Sequence, residues 1–331
     1  MENFKMQNRK LLIFGNGLGM SIDPNHFSLV NALRHVWDNT CYWNHDLKDR
    51  RLIQRCIPFH QCPQSEDDMD RLHLAAVSCN FLKEIPRLDQ DVDWLSHNGH
   101  TFPEVTQKYI HIVATYLCNN SFSLPIKFET KLLEFIKRTN SHVATLNYDK
   151  LLYESFIRND ITTDGYQGHL VDGIWRRGFN ENNLERYRGN DFGYYLHLHG
   201  SPLFYENEDI IYKHRHNNLD INSCYPSKHI VLTHIKHKLS VISSSRILST
   251  YWRYLHLALA EVDEVIIFGY SGLDDHLNKL LRMHHSCKKF TIVEWNGSGT
   301  INVRNDFWEK ELGKQPHIIQ LPNITEFEDW D

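Results

Sequence analysis

Short apolar runs recur along the chain, and each one stops at a glycine or a polar cluster. Leu11-Leu12-Ile13-Phe14 meets Gly15, and Val143-Ala144-Thr145-Leu146 meets Asn147. Tyr194 to His199 alternates and stops at Gly200-Ser201-Pro202. Val265-Ile266-Ile267-Phe268 meets Gly269, and Phe290-Thr291-Ile292-Val293 meets Glu294. Such runs predict strands, and the continuous ones suit a sheet covered on both faces. Between them, apolar residues recur at helical spacing over 27–37, 71–77, 104–118, 128–138, 150–157, 246–261 and 274–284. Strands alternating with helices predict an α/β fold with a mainly parallel sheet and helices on both faces. Two stretches break the alternation. Residues 40–138 lack a strand signal and read as a largely helical insertion interrupted by Pro58, Pro63 and Pro86. Residues 160–192, rich in Gly, Asn and Arg, read as an irregular insertion. The organisation expected is one domain over 1–331 carrying these two insertions.

Composition narrows the function classes. The 331 residues are 41% hydrophobic and 23% charged, as in ordinary globular proteins. Lys and Arg number 36 and Asp and Glu 41, a formal net charge of −5. That excludes binding driven by a strongly basic field, so direct nucleic-acid binding is not expected. Trp175-Arg176-Arg177 with Arg186 and Arg188 reads as a solvated basic loop. No apolar run approaches the roughly 18–20 residues of a membrane span, and Leu11–Phe14 is too short for a signal peptide. The 7 cysteines (41, 56, 62, 79, 118, 224 and 287) form no C-x-x-C pair. They read as reduced thiols of a cytoplasmic protein. Cys56, His60 and Cys62 suggest no fourth ligand, nor do His284, His285 and Cys287, so no metal is expected. The 22 histidines imply a charge that changes between about pH 7 and 6.

The residues just past the strands carry the candidate chemistry. They are Gly15-Asn16-Gly17-Leu18-Gly19-Met20-Ser21, Asn147-Tyr148-Asp149, His199-Gly200-Ser201, Gly269-Tyr270-Ser271-Gly272 and Glu294-Trp295-Asn296. In a parallel sheet they converge on one crevice, where α/β folds bind ligands. The glycine turn suits either a pyrophosphate, approached by the backbone, or a plain strand-to-helix turn. His197 and His199 share one side of their strand, and the His-Gly at the strand end favours His199. Asp149 reads equally as a ligand contact or a helix cap, and Asp23 as a cofactor contact or a loop carboxylate. Asp274-Asp275 is accounted for by the start of a helix.

Taken in order, the glycine turn at 15–21, Thr145-Leu146-Asn147-Tyr148-Asp149, His199-Gly200, Gly269-Tyr270-Ser271 and the late Asn296 resemble the sirtuin-like superfamily. The resemblance implies a Rossmann-like sheet that takes NAD as substrate. It implies that Asn147 holds the nicotinamide-side ribose or a water and that His199 is the general base. It places Gly15, Asn16, Gly17, Gly19, Ser21 and Asp23 at the pyrophosphate, and Thr145 and Asp149 beside Asn147. Gly269, Tyr270, Ser271 and Asn296 go to the adenosine half. The sequence departs from the protein deacylases of that superfamily. The paired C-x-x-C zinc site is missing, Asn16 interrupts the glycine turn, and Leu146 replaces a polar residue. These departures resemble a divergent bacterial branch of NAD hydrolases in antiphage defence. That branch implies cleavage of NAD to nicotinamide and ADP-ribose or a cyclic product. It also implies homo-oligomers, or a partner such as a HerA-like ATPase or an Argonaute-type protein. The other readings are an NAD-dependent deacylase or ADP-ribosyl transferase, and a non-catalytic NAD- or ADP-ribose-sensing scaffold.

Overall fold

The computed structural model describes residues 9–43, 48–57, 62–85, 94–163, 165–187, 189–214, 227–232 and 235–330. β1 (Leu11–Phe14) turns into the short α1 (Gly17–Met20), and α2 (Leu29–Asp38), α3 (Lys48–Cys56), α4 (Glu66–Glu84) and α5 (His97–Cys118) follow. α6 (Ile126–Thr139) leads to β2 (His142–Thr145) and α7 (Leu151–Arg158). Then come β3 (Leu170–Val171), β4 (Ile174–Trp175), β5 (Gly178–Phe179), β6 (Gly193–His197), β7 (Phe204–Asn207) and β8 (Ile210–Lys213). α8 (Ile235–Ser244), α9 (Arg246–Glu261), β9 (Glu264–Phe268), α10 (Asp275–Met283), β10 (Lys289–Trp295), α11 (Ile301–Leu312) and β11 (His317–Leu321) complete the order.

Seven strands form one sheet in the order β11-β10-β9-β1-β2-β6-β3. Every pairing in it is parallel. This is the parallel α/β sheet that the alternation of strands and helices predicts, in the Rossmann-like form that the resemblance implies. β1 is central: the chain builds β2, β6 and β3 on one side, then crosses to β9, β10 and β11 on the other. The reversal falls between β1 and β9, and a crevice opens beyond their carboxyl ends.

Strand alternation divides the core in two. Leu11 and Ile13 of β1 and Val265 and Ile267 of β9 face a layer built from α9, α10 and α11. Leu12, Phe14, Ile266 and Phe268 face the other way, against α6, α7 and the closing Phe327 and Trp330. A third cluster belongs to the helices between β1 and β2: Leu33, Val36 and Trp37 of α2 pack with Met69 and Leu72 of α4 and Tyr109 and Val113 of α5. Ile230 and Leu232 enter this cluster from the segment before α8, and Tyr148 packs on its edge. The helical cluster therefore abuts the loop that leaves β2.

The chain continues its α/β rhythm beyond the last strand legible in sequence, through α11 and β11. Within 160–192, β3 joins the edge of the main sheet and β4 pairs with β5. Among the described residues no helix is long and apolar enough to cross a membrane. Cys224, His60 and Arg188 lie outside the described residues.

Candidate functional site

A cleft of about 1090 Å³ opens at the β1–β9 reversal and is walled by the loops that follow β1, β2, β6, β9 and β10. The first and fourth of these loops are fused. Gly15 N donates to Phe268 O at 2.9 Å and Gly17 N to Gly269 O at 2.8 Å. A Cβ at Gly15 would stand 2.7 Å from Gly269 O, and one at Gly17 2.6 Å from Gly269 Cα. The two glycines thus exist first for contact between backbones. Their N–H groups are spent inside the protein, so the turn offers a ligand its surface rather than these donors. Gly19 points away from the cleft and makes room for the Phe27 ring. Asn16 donates to Phe27 O at 3.0 Å, and Ser21 Oγ donates to Leu18 O at 2.7 Å.

Asn147 stands at the end of β2. Its backbone N–H donates to Thr145 Oγ1 at 3.1 Å, which fixes the turn. The residue is 4% exposed and lines the cleft, yet neither Oδ1 nor Nδ2 has a hydrogen-bond partner. An unpaired buried amide costs about 1–3 kcal/mol, and native proteins keep few of them. The amide lies close enough to help stabilise the Asp149 carboxylate without reaching hydrogen-bond geometry. Asp149 itself does not line the cleft. Its Oδ1 accepts from Leu151 N at 3.0 Å, at the start of α7, and burial raises its pKa to about 6. Tyr148 lines the cleft and donates its hydroxyl to Val231 O, which ties the loop to the segment before α8.

His199 follows β6. The backbone reverses at Gly200, where φ is +79° and a Cβ would strike His229 O at 1.7 Å. This explains the His-Gly pair sterically. The imidazole Nε2 meets Asp274 Oδ2 at 3.0 Å. Asp274 serves two tasks with two oxygens: Oδ1 caps α10 by accepting from His276 N at 3.0 Å and Leu277 N at 3.2 Å. Tyr270 locks it from behind, its hydroxyl accepting from Asp274 N at 2.8 Å and donating to Asn278 Oδ1 at 2.9 Å. Burial opposes ionisation of Asp274, but His199, Lys238 and the Leu277 N–H together hold its carboxyl well below the usual range. Burial and then Lys238 push His199 down, against the pull of Asp274. At neutral pH the pair is a carboxylate and a neutral imidazole, with Nε2–H donating and Nδ1 without a protein partner among the described residues.

The far end of the cleft is built on β10. Glu294 accepts from Arg304 Nε at 3.1 and 3.0 Å, Gln320 Nε2 at 3.0 Å and Trp308 Nε1 at 3.3 Å. These donors overcome burial and hold its pKa down. Trp295 lines the cleft with 59% of its surface exposed. Asn296 is exposed outside the cleft, where its N–H donates to Leu321 O at 2.9 Å.

Of the residues expected at the site, Gly15, Asn16, Gly17, Ser21, Asn147, His199, Gly269, Tyr270 and Ser271 converge on the cleft. Gly19, Asp23, Thr145, Asp149 and Asn296 do not line it. Asp23 shapes its own loop, accepting from Asn25 N at 2.9 Å and His26 N at 2.8 Å. His197 stays in the core, its ring among Tyr195, Phe204 and Tyr251. Arg186 of the basic loop is occupied by Glu261 at 2.8 Å. Among the described residues no three His, Cys, Asp or Glu side chains are grouped to hold a metal ion. Sequence reasoning missed Glu66, Lys238 and Arg304, named Glu294 only as a polar residue past a strand, and saw in Asp274 a helix start alone. Glu66, Lys238 and Asp274 meet partners far away in the chain, and Glu294 and Arg304 meet across two different elements, so no local spacing announces them.

A family model described as SIR2-like domain matches residues 141–310. The match spans the strands and loops that carry Asn147, His199, Asp274 and Glu294. No curated protein matches the chain.

Proposed function

The chain belongs to the SIR2-like family, and from that premise we propose that it is an NAD glycohydrolase. The observation that carries this reading is the buried, unpartnered Asn147 amide on the wall of the same cleft as the His199–Asp274 pair. Oriented donors and acceptors left unpaired in a cleft await a ligand's polar groups. A ribose hydroxyl and a water are matching partners for one amide that both donates and accepts.

In the proposed reaction the bond between nicotinamide nitrogen and ribose C1′ breaks, and nicotinamide leaves with the bonding pair. Water adds to C1′ and gives up a proton, so the products are nicotinamide, ADP-ribose and H⁺. Asn147 orients the water or the ribose, and neutral His199 accepts the proton at its free nitrogen. Asp274 holds the ring and stabilises the imidazolium that forms, as carboxylates do behind catalytic histidines. The Gly15–Gly17 surface faces the pyrophosphate, and Ser271 with the β10 end faces the adenosine half. Asp149, Thr145, Gly19, Asp23 and Asn296 support the cleft's walls from outside it. We take the whole chain as one catalytic domain, with the helices of 40–138 and the segment 160–192 as insertions. The biological role proposed is depletion of cytoplasmic NAD in antiphage defence, triggered by self-assembly or by a partner such as a HerA-like ATPase or an Argonaute-type protein.

The test is nicotinamide release by the purified chain, with and without such a partner. Asn147→Ala and His199→Ala are each expected to lower turnover by about 10²–10⁴-fold. Both variants should still bind ADP-ribose in calorimetry. Binding of NAD without nicotinamide release under every condition would overturn the hydrolase reading in favour of a nucleotide-sensing scaffold. Release that requires an acyl-lysine or protein acceptor would replace it with a transferase.

A further inference from the structure

The Asp274 carboxylate has a second partner, and this one is a cation. Lys238 of α8 brings its ammonium to 3.1 Å from Oδ2, the oxygen that His199 Nε2 also reaches. The same ammonium lies 3.8 Å from Glu66 Oε2 at the start of α4. The Lys238 side chain is only 6% exposed. An ammonium kept so dry is paired for a reason, because removing it from water costs several kcal/mol.

Among the described residues, the charged and titratable groups around His199 form a short set. Asp274 caps α10 and His276 lies in its first turn, while Lys238 comes from α8 and Glu66 from α4. Tyr148, with its ring centroid 6.4 Å from that of His199, comes from the loop after β2. Glu66 is nearly half exposed, so water screens it. Among the described residues, the two fully enclosed ions of this set are Asp274 and Lys238, and they already balance each other. A protonated His199 would add a net positive charge to this enclosed group.

We propose that Lys238 is a positioning residue: its ammonium balances Asp274, so His199 keeps the Asp274 hydrogen bond as a neutral ring with Nδ1 open to a proton. Without Lys238, the imidazole is the sole enclosed counter-ion of Asp274 among the described residues. The ring then holds a proton at neutral pH and no longer serves as a base. Glu66 ties Lys238 to the helices between β1 and β2, so those helices contribute to the charge of the catalytic pair.

The purpose of this arrangement rests on the hydrolase reading, but its test does not need turnover. The full chain, labelled with ¹³C-histidine, is titrated by NMR from pH 5 to 8.5, and the His199 signal is assigned by its loss in His199→Gln. Lys238→Gln is expected to raise the His199 midpoint by about one pH unit or more, and Lys238→Arg to restore it to within a few tenths. Where turnover is measurable, the acid limb of kcat/KM should move with the midpoint, leaving Lys238→Gln about tenfold weaker at pH 6 relative to its own rate at pH 8. A midpoint unchanged or lowered in Lys238→Gln overturns the proposal, as does activity lost equally at every pH. Lys238→Met provides a second neutral variant should Lys238→Gln fold poorly. Absence of turnover in the unaltered chain would sink the hydrolase reading while the titration still decides the role of Lys238.

Discussion

Position 17 measures how closely two strand-end loops are pressed together. Its added methyl would meet Gly269 Cα and O at 2.6 Å, and these are backbone atoms that cannot swing aside. At Gly297 the obstacle is the Trp295 ring at 2.2 Å, which is exposed and free to rotate away. Gly17→Ala is therefore expected to cost about 1–3 kcal/mol in urea unfolding, and Gly297→Ala to stay within about 0.5 kcal/mol. Equal costs would mean that the two loops part more readily than their hydrogen bonds suggest. The same scale shows why the site was half legible. Asn147 and His199 stand directly after apolar strands, where the sheet's polarity places ligands, so their positions alone marked them. Asp274 was read as a helix start, which accounts for Oδ1; the partners of Oδ2 sit 75 residues away at His199 and 36 residues away at Lys238. Nothing local in the sequence encodes those two encounters.

At the scale of elements, the amino-terminal edge of the sheet is closed by a network that ties β2 to α9. His142 accepts the Tyr194 N–H through Nδ1 at 3.0 Å and meets Glu261 through Nε2 at 3.1 Å. Arg186 and Arg9 hold the same carboxylate at 2.8 and 3.2 Å. Burial drives the His142 pKa down to about 4, and a proton on Nδ1 would break the bond to Tyr194. The folded pKa lies below the unfolded value, so the unfolded chain takes up the proton first as pH falls. Stability is intact above about pH 6.5 and declines toward pH 4, by roughly 3 kcal/mol for this residue. His111 repeats the arrangement, its Nδ1 accepting from Ser227 N at 3.1 Å and its pKa likewise near 4. Urea unfolding at pH 7, 5.5 and 4.5 should show this loss, and His142→Gln should flatten its slope; a parallel curve in the variant would assign the acid sensitivity elsewhere. The elements most legible in sequence were those buried on both faces. β1 and the Val265–Phe268 run of β9 are apolar throughout because helices cover them twice. β11, at the sheet's edge, is half exposed, and α11 buries only Trp308 and Leu312. Elements with so little to bury carry a weak periodic signal, and both went unread.

At the scale of the whole molecule, the cleft is assembled from nearly the full run of the chain. Gly15 and Ile324 both line it, Glu66 reaches it from the helices between β1 and β2, and Asn323 donates to Ser21 O at 2.8 Å across its mouth. A ligand that fills the cleft therefore touches loops from both sides of the sheet and the edge of the helical cluster at once. Such a ligand stabilises whatever unfolds together with its site, by about 2.7 kcal/mol at a hundredfold excess over Kd. For a chain of this size that corresponds to a rise of a few degrees in Tm. ADP-ribose, which has no bond to nicotinamide left to cleave, is the probe that separates binding from turnover. It should raise the melting temperature of the chain and of His199→Ala in a single cooperative transition. A smaller shift is expected in Asn147→Ala, because the amide's unpaired groups are what the ligand satisfies. Two transitions in calorimetry, with one of them moved by ADP-ribose, would show that the helices of 40–138 unfold independently of the sheet. In that case Glu66 would belong to a separable unit docked on the cleft, and the description of the chain as one domain with an insertion would fall.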